Sequence, residues 1–364
     1  MVQFTLSKQE KMLRNEVGKM VRELVAERAH EMDESGEIPG ELLQKFWELG
    51  ISVTEVPEKY GGFGMESSCV ENALAIEELA YGDASLAIAA VLPSLFITPV
   101  LKMGSREQQE KYLPYYCSSK YPKCSFALNE PYFDFDPCEL KTTAELKDGK
   151  YVLNGKKCLA VYAGSAEHIL VAASLQNENH FFIVDTQTPG LEIHRREQNM
   201  GFWGLDTYEI NLENCVIPKE DHLQPHEGYN YDKLLQQART ASAALATGIA
   251  RASYDLAKNY AKTRTQFGEP IAHRQSIAFM LAEMAYEVDA LRFMAWSAAS
   301  KLDNGRDAKR EAYLAKTYAN EMSMKLTDYG VQILGGHGYI RDYPAERYYR
   351  NARGISNFEA LAIV

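Results

Sequence analysis

The clearest candidate for acid–base chemistry in this chain is a single carboxylate close to its C-terminal end. Glu359 stands in the stretch RNARGISNFEALAIV, where its apolar neighbours are Phe358, Ala360, Leu361 and Ile363. An apolar setting strengthens a carboxylate as a base once water is excluded. An acid at this position can equally be a solvated residue near a terminus, or a group that caps a helix or pairs with a cation. Position alone leaves these alternatives open.

A second group of residues suits the binding of a pyrophosphate and a purine ring. The stretch YAKTRTQFGEPIAHRQ places Arg264, Phe267 and Gln275 around a Gly-Glu-Pro turn between two predicted long helices. The stretch QILGGHGY places Gln332 beside glycines at the end of another helix. A guanidinium, an aromatic face and amides at helix ends suit phosphate and adenine recognition. Ordinary loop capping explains these residues about equally well.

Other short motifs do not predict a metal centre, a nucleotide-binding loop or a catalytic triad. Glu27 and His30 form one ExxH pair, but a carboxylate-bridged dimetal centre requires two such pairs, so no metal site is predicted. The glycine-rich stretches GGFG and GGHG do not follow a strand as nucleotide-binding glycine loops do. His337, within GGHG, has no serine or cysteine elbow and no acidic partner, which excludes a catalytic triad.

The predicted secondary structure changes twice along the chain, from helices to strands and then back to helices. Ser7 with Glu10 has the form of a capping box, and helical spacing of apolar residues continues to about residue 121. Six short strands then follow, with Asp148-Gly149 as a hairpin turn. This density of strands indicates a compact β-barrel or sandwich that ends near residue 228.

The remainder of the chain is predicted to form a bundle of long helices. Apolar residues from Ile277 to Ala298, and again from Ala315 to Ile333, recur in alternating steps of four and three. We therefore expect an α+β protein with an N-terminal helical domain (1–121), a middle β-domain (122–228) and a C-terminal helical bundle (229–364).

Charge and composition argue against some classes of partner and location. With 50 acidic and 39 basic residues the net charge is −11, which argues against nucleic acid or an anionic membrane as the main partner. No apolar run reaches the roughly 18 residues of a spanning helix, and the N-terminal stretch lacks the apolar core of a signal peptide. The six cysteines form no CxxC pair, which favours reduced thiols. A cytoplasmic location is expected.

The order of the regions and their motifs resembles the acyl-CoA dehydrogenase family along essentially the whole chain. The matching stretches are EELAYGDASLA, SREQQEKYLP, CSFALNEP, KYVLNGKK, NMGFWG, ENCVIP, RTQFGEPIAHRQ, QILGGHGY and RNARGISNFE. The resemblance implies a C-terminal four-helix bundle and FAD held between the β-domain and the bundle. It also implies a homo-oligomer, either a tetramer or a dimer, an acyl-CoA substrate and an electron-transfer flavoprotein as electron acceptor.

The resemblance implies roles for individual residues. Glu359 falls where the family's Tyr-Glu-Gly carries the catalytic base, with Phe358 in place of the tyrosine. Some members supply the base from the first bundle helix, but the matching residue here is Ala238, so Glu359 is the only base on offer. Arg239 is similar to a substrate-side arginine. The residues that resemble FAD contacts are Phe126, Leu128, Asn129, Arg264, Phe267, Gln275, Gln332, Gly335 and Gly336, and those from Arg264 onward would grip the adenosine end of a neighbouring subunit's FAD.

The reaction implied by the family explains why an acid is needed. The base takes the α-proton of an acyl thioester while a hydride leaves the β-carbon for flavin N5. Hydrogen bonds from the flavin ribityl chain and from the backbone N–H of the base stabilise the developing enolate oxygen.

Departures from the family pattern cluster around the expected flavin ring. In FALNEPYFDFD, Asn129 replaces a threonine and Phe135 replaces a serine, and Tyr132 and Phe133 enlarge the same loop. Val161 stands in place of a threonine. Ala360-Leu361 stands in place of Gly-Thr. The sequence ends five residues after Glu359, whereas family members usually continue with a further helix.

These departures leave other functions open. A divergent, flavin-poor member could serve as a non-catalytic or heteromeric subunit, and an oxidase or monooxygenase could use the same fold. The acyl carrier could also be a carrier protein in place of free CoA.

Overall fold

The computed structural model describes residues 5–25, 27–225 and 228–364. Its first third is helical, and the predicted capping box is present, because Ser7 and Glu10 each bond the other's backbone N–H. The helices are α1 (Lys8–Leu24), α2 (Ala29–Ser35), α3 (Gly40–Trp47), α4 (Cys69–Gly82), α5 (Ala84–Val91), α6 (Ser94–Met103) and α7 (Arg106–Tyr116). A second capping box, formed by Ser105 and Gln108, begins α7.

One sequence expectation about this region is wrong. The stretch Ala84–Met103 is long and apolar enough to cross a membrane, although no such run was expected. In the structure it comprises α5 and α6, and most of the stretch is buried inside the protein. These helices form part of the core between the N-terminal region and the rest of the chain.

The middle region is a mixed β-sheet. Its strands are β1 (Cys124–Ala127), β2 (Thr143–Lys147), β3 (Lys150–Val161), β4 (His168–Leu175), β5 (Glu178–Asp185), β6 (Leu191–Arg196), β7 (Thr207–Pro218) and β8 (His222–Leu223). The strand order is β6-β7-β3-β2-β4-β5-β8, and β1 pairs with β4 in parallel. The predicted hairpin turn is confirmed, since Asp148 and Gly149 both have positive φ and join β2 to β3.

The last region begins with α8 (Tyr231–Thr263), which leads through a small hairpin of β9 (Thr265–Gln266) and β10 (Glu269–Pro270) into α9 (Gln275–Asp303). It ends with α10 (Lys309–Leu334), α11 (Gly336–Tyr339) and α12 (Ala345–Ile355). Gln236 near the start of α8 bonds the backbone N–H of Ala308, and Tyr260 near its end bonds His337. Helices α8 and α10 therefore run in parallel, with α9 antiparallel to both.

The predicted α+β class with an N-terminal helical region, a middle β-region and a C-terminal bundle is confirmed. One hydrophobic core joins the N-terminal helices, the bundle and one face of the sheet, and a second core lies within the β-region. A buried ionic cluster adds to the first core: Glu77 of α4 pairs with Arg251 of α8 and Arg292 of α9. This cluster connects three helices that are far apart in sequence.

Candidate active site

Glu359 follows α12 in a short segment that packs against the middle domain. Its backbone N–H donates a hydrogen bond to Oδ1 of Asn129, with 3.1 Å between the two atoms. Nδ2 of Asn129 donates to the backbone carbonyl of Asn357 at 2.9 Å. Asn129 is buried and lies two residues after the end of β1, so one side-chain amide attaches the segment carrying Glu359 to the end of this strand.

The Glu359 carboxylate is engaged on both oxygens by cations of the bundle. Arg239 of α8 donates from Nε to Oε1 at 2.5 Å, and Lys316 of α10 donates from Nζ to Oε2. The three side chains are only 10%, 9% and 12% exposed for Arg239, Lys316 and Glu359. The Arg239 guanidinium also lies over the ring of Tyr313, at 5.3 Å from its centre. Glu359 is therefore held at the junction of the middle domain and the bundle.

This arrangement corrects the expected apolar setting of the carboxylate. The residues on either side of Glu359 in sequence are largely buried, as predicted for Phe358, Leu361 and Ile363. The carboxylate group itself contacts two cations, which is the paired state that the sequence left as an alternative. Burial lowers the pKa of Lys316, while the adjacent Glu359 acts in the opposite direction.

A second ion pair, which the sequence analysis did not identify, holds the strand end that carries Asn129. Nζ of Lys157 lies 2.9 Å from Oε1 of Glu130, and both side chains are almost fully buried. Lys157 also donates to the carbonyl of Leu128, and Glu130 accepts from the backbone N–H groups of Lys141 and Thr142. Burial lowers the pKa of Lys157 to about 8. Glu130 and Lys157 both lie in stretches that match the family, CSFALNEP and KYVLNGKK, but neither stretch indicates that the two side chains meet.

Two other predicted flavin contacts have buried side chains. Phe126 and Leu128 are 5% and 2% exposed, and Phe126 packs against Phe181. Both side chains therefore belong to the hydrophobic core. The backbone carbonyl of Asn129 is also engaged, because it accepts a hydrogen bond from Cys158 N–H at 3.0 Å.

The residues predicted to bind adenosine lie together at the other end of the bundle. This end is formed by the end of α8, the β9–β10 hairpin, the start of α9 and the end of α10. The residues there are all exposed: Arg264, Phe267, Gln275, Gln332, Gly335 and Gly336. Phe267 has positive φ at the hairpin tip and is 92% exposed. Arg239 and Arg264 are 25 residues apart along α8, which corresponds to about 37 Å.

Comparison with known proteins shows the family to which the chain belongs. The N-terminal, middle and C-terminal domain families of acyl-CoA dehydrogenase match residues 7–120, 125–215 and 228–359. An acyl-CoA dehydrogenase of Bacillus subtilis is 35% identical over 97% of this chain and 95% of its own length. The chain belongs to the acyl-CoA dehydrogenase family. It is accordingly an oxidoreductase of that family.

Two further relatives match nearly the whole chain. The CarC subunit of the caffeyl-CoA reductase–Etf complex of Acetobacterium woodii is 35% identical over 98% of this chain and 96% of its own length. The structure of butyryl-CoA dehydrogenase from Megasphaera elsdenii superimposes with a TM-score of 0.88 at 31% identity, covering 98% of this chain and 96% of that one.

The cofactor of the family is FAD. Two regions decide whether this chain fits it, the bundle end and the expected site of the flavin ring. At the bundle end, exposed donors and an exposed aromatic ring fit an adenosine diphosphate group. Near the expected ring site, Tyr132 and Phe133 are 38% and 114% exposed, so neither fills the interior. Phe135 is half-buried against the core, and Val161 is buried, with its carbonyl accepting from Ser125 Oγ. The residues therefore fit FAD, but without the family's hydroxyl donors at the ring.

Proposed function

We propose that this protein catalyses the FAD-dependent α,β-dehydrogenation of an acyl thioester, with Glu359 as the base that takes the α-proton. The observation that carries this proposal is the placement of Glu359, which is largely shielded from solvent at the junction of the middle domain and the bundle. Acyl-CoA dehydrogenation is the activity named for relatives that share the whole architecture.

In the proposed reaction, Glu359 accepts the α-proton on one carboxylate oxygen. Bound FAD supplies a hydride acceptor for the β-carbon. Arg239 and Lys316 each contact one carboxylate oxygen, so a proton taken by Glu359 removes the charge that both ion pairs depend on. The Arg239 and Glu359 side chains are only 10% and 12% exposed, so little water reaches the carboxylate.

Asn129 occupies the backbone N–H of Glu359. The N–H of Glu359 is the donor that the family uses for the thioester oxygen, but here it bonds Asn129 Oδ1. The thioester oxygen must therefore displace Asn129 from this N–H before enolate stabilisation begins. We expect substrate entry and release of this contact to be coupled.

A homo-oligomer is part of the proposal. The adenosine-binding residues lie about 37 Å along the bundle from Arg239, which suits a neighbouring subunit's FAD. Helix α9 also exposes Phe279, Tyr286 and Phe293 at seven-residue spacing, an apolar stripe typical of a subunit contact. We further propose an electron-transfer flavoprotein as the acceptor, as the name of the CarC complex suggests for that relative. A cytoplasmic location is proposed because all six cysteines are free.

The test uses the purified full chain with added FAD. Anaerobic addition of a panel of acyl-CoA and acyl-carrier-protein thioesters is expected to bleach the flavin absorbance of the wild type. Glu359→Gln, which is nearly isosteric, is expected to bind FAD and to abolish bleaching. Glu283→Gln, an acid paired with Lys325 elsewhere in the bundle, is the matched control. Unchanged bleaching in Glu359→Gln would remove this residue from the proposed role.

A second candidate function is favoured by one observation. Both oxygens of Glu359 are neutralised, and the hydroxyl donors near the flavin ring are replaced by Val161 and Leu361. These features are what a flavin-poor, non-catalytic subunit would show. A colourless protein that binds no FAD supports this second candidate, and rapid consumption of oxygen during turnover supports an oxidase or monooxygenase.

A further inference from the structure

The Lys316 ammonium group contacts the proposed base from α10, a helix whose predicted FAD contact, Gln332, lies near its other end. Lys316 lies on α10 and bonds Oε2 of Glu359, while Arg239 of α8 bonds Oε1. The Lys316 side chain is 9% exposed, so this cation is almost as buried as the carboxylate it contacts. A buried lysine requires a partner, and the contact described for Lys316 is Glu359.

We propose that Lys316 is a positioning residue, whose ammonium group keeps Glu359 ionised and oriented until an acyl thioester enters. This inference rests on the proposed function and extends it to a residue on α10. The two cations bond different oxygens of the carboxylate, so the loss of either one leaves the Glu359 side chain with a single ion pair. Lys316 is the partner for which the sequence provided no signal.

Charge within the cluster explains how Lys316 acts. Arg239, Lys316 and Glu359 together hold two cations and one anion in a site that is about nine-tenths buried. When Glu359 takes the α-proton, both cations lose their counter-charge, which is costly in buried surroundings. Loss of that proton to solvent restores both ion pairs. The cations therefore favour the return of Glu359 to the ionised form after each turnover.

Other charged and titratable groups face this cluster from the elements packed around it. Tyr231 of α8 donates its hydroxyl to the carbonyl of Pro137, so it does not compete for the carboxylate. Tyr313 of α10 contributes its ring to Arg239. Farther out, the groups around Cys138 are Asp136, Asp232, Lys309 and Arg239. Among these groups, only Arg239 shares the carboxylate with Lys316.

A purely structural ion pair would have the same geometry, so the experiment must separate the two roles. Lys316→Met removes the charge and keeps the length of the side chain, and Lys316→Arg keeps the charge. Lys325→Met is the matched control, since Lys325 lies on the same helix and pairs with Glu283 away from the site. Each holoenzyme is reduced anaerobically by the thioester that bleaches the wild type fastest, across a range of pH.

The expected result is a change in the pH profile of flavin reduction. The Lys316→Met profile is expected to differ in shape from that of the wild type, because Glu359 then keeps only one of its two opposite charges. Lys316→Arg and Lys325→Met are expected to follow the wild type. If Lys316→Met does not fold, Lys316→Gln takes its place in the same comparison.

A second readout needs neither flavin nor substrate. In a double-mutant cycle of Lys316→Met with Glu359→Gln, the urea midpoint of the double variant should exceed the value expected from adding the single effects. An additive cycle, or a Lys316→Met profile that overlays the wild type, overturns the positioning role alone. A wild type that no thioester bleaches overturns the proposed function, and this inference with it.

Discussion

The side-chain oxygen of Asn129 accepts a hydrogen bond from the backbone N–H of Glu359, with 3.1 Å between the atoms. The same amide donates to the carbonyl of Asn357, and its own backbone carbonyl accepts from Cys158 of β3. Asn129 therefore connects the sheet to the segment after α12. The position of the proposed base depends on the β-domain as much as on the bundle.

Asn129→Ala is expected to lower both stability and activity. The variant loses two buried side-chain hydrogen bonds, so the free energy of unfolding should fall by about 1 to 3 kcal/mol. Flavin reduction should also be slower than in the wild type, because the Glu359 segment is no longer held at the strand end. Urea unfolding and anaerobic stopped-flow measure the two effects. Asn304→Ala, at an exposed site after α9, should change neither; an equal effect there would contradict the assigned role.

Lys157→Met is expected to be strongly destabilising. It leaves the Glu130 carboxylate buried without its cation, at a cost of about 3 to 5 kcal/mol in the free energy of unfolding. The matched control is Lys147→Met, which breaks an ion pair with Glu145 in the same domain, where both side chains are more than half exposed. That control should cost no more than about 1 kcal/mol. Similar urea midpoints for the two variants would show that the buried pair contributes little.

A histidine pair in the β-domain makes stability depend on pH. His222 Nε2 lies 3.0 Å from His180 Nδ1, and burial together with His180 lowers the pKa of His222 from 6.5 to about 4. The unfolded chain therefore binds a proton that the folded chain resists, so this contribution is present above pH 6.5 and is lost as the pH falls toward 4.

The measurement is the urea midpoint between pH 7 and pH 4.5 in wild type and in His222→Phe. Phenylalanine keeps the stacking on Phe182 but cannot titrate, so the dependence on pH should be shallower than in the wild type. His30→Gln, at a side chain that is 60% exposed, serves as the control and should leave the slope unchanged. Parallel slopes in wild type and His222→Phe would exclude His222 as a source of the acid sensitivity.

Arg264→Ala is expected to weaken FAD binding without destabilising the fold. Arg264 is exposed at the bundle end, so its loss removes a charge-assisted contact to phosphate and no core packing. The Kd for FAD should rise about tenfold or more, which corresponds to about 1.4 kcal/mol or more. FAD titration followed by flavin fluorescence measures it. Arg306→Ala, exposed near the opposite end of the bundle, is the control, and a similar rise in its Kd would contradict the predicted site.

The sequence by itself determined the elements whose interactions lie within a few residues of one another. The Ser7–Glu10 capping box and the Asp148-Gly149 turn are set by local hydrogen bonds and backbone preferences, and both occur as predicted. The spacing of apolar residues likewise predicted the long helices α9 and α10. The family motifs indicated Glu359 and the residues of the bundle end, because these stretches keep their order along the chain.

Only the tertiary structure decided what surrounds those residues. The apolar stretch Ala84–Met103 is a buried pair of core helices, since composition does not distinguish a membrane from a protein interior. The Glu359 segment is contacted by Lys316, Arg239 and Asn129, which are 43, 120 and 230 residues away in sequence. Contacts at such separations depend on how helices and sheet pack, and no local pattern encodes them. The pairing of the carboxylate with two cations is a property of that packing.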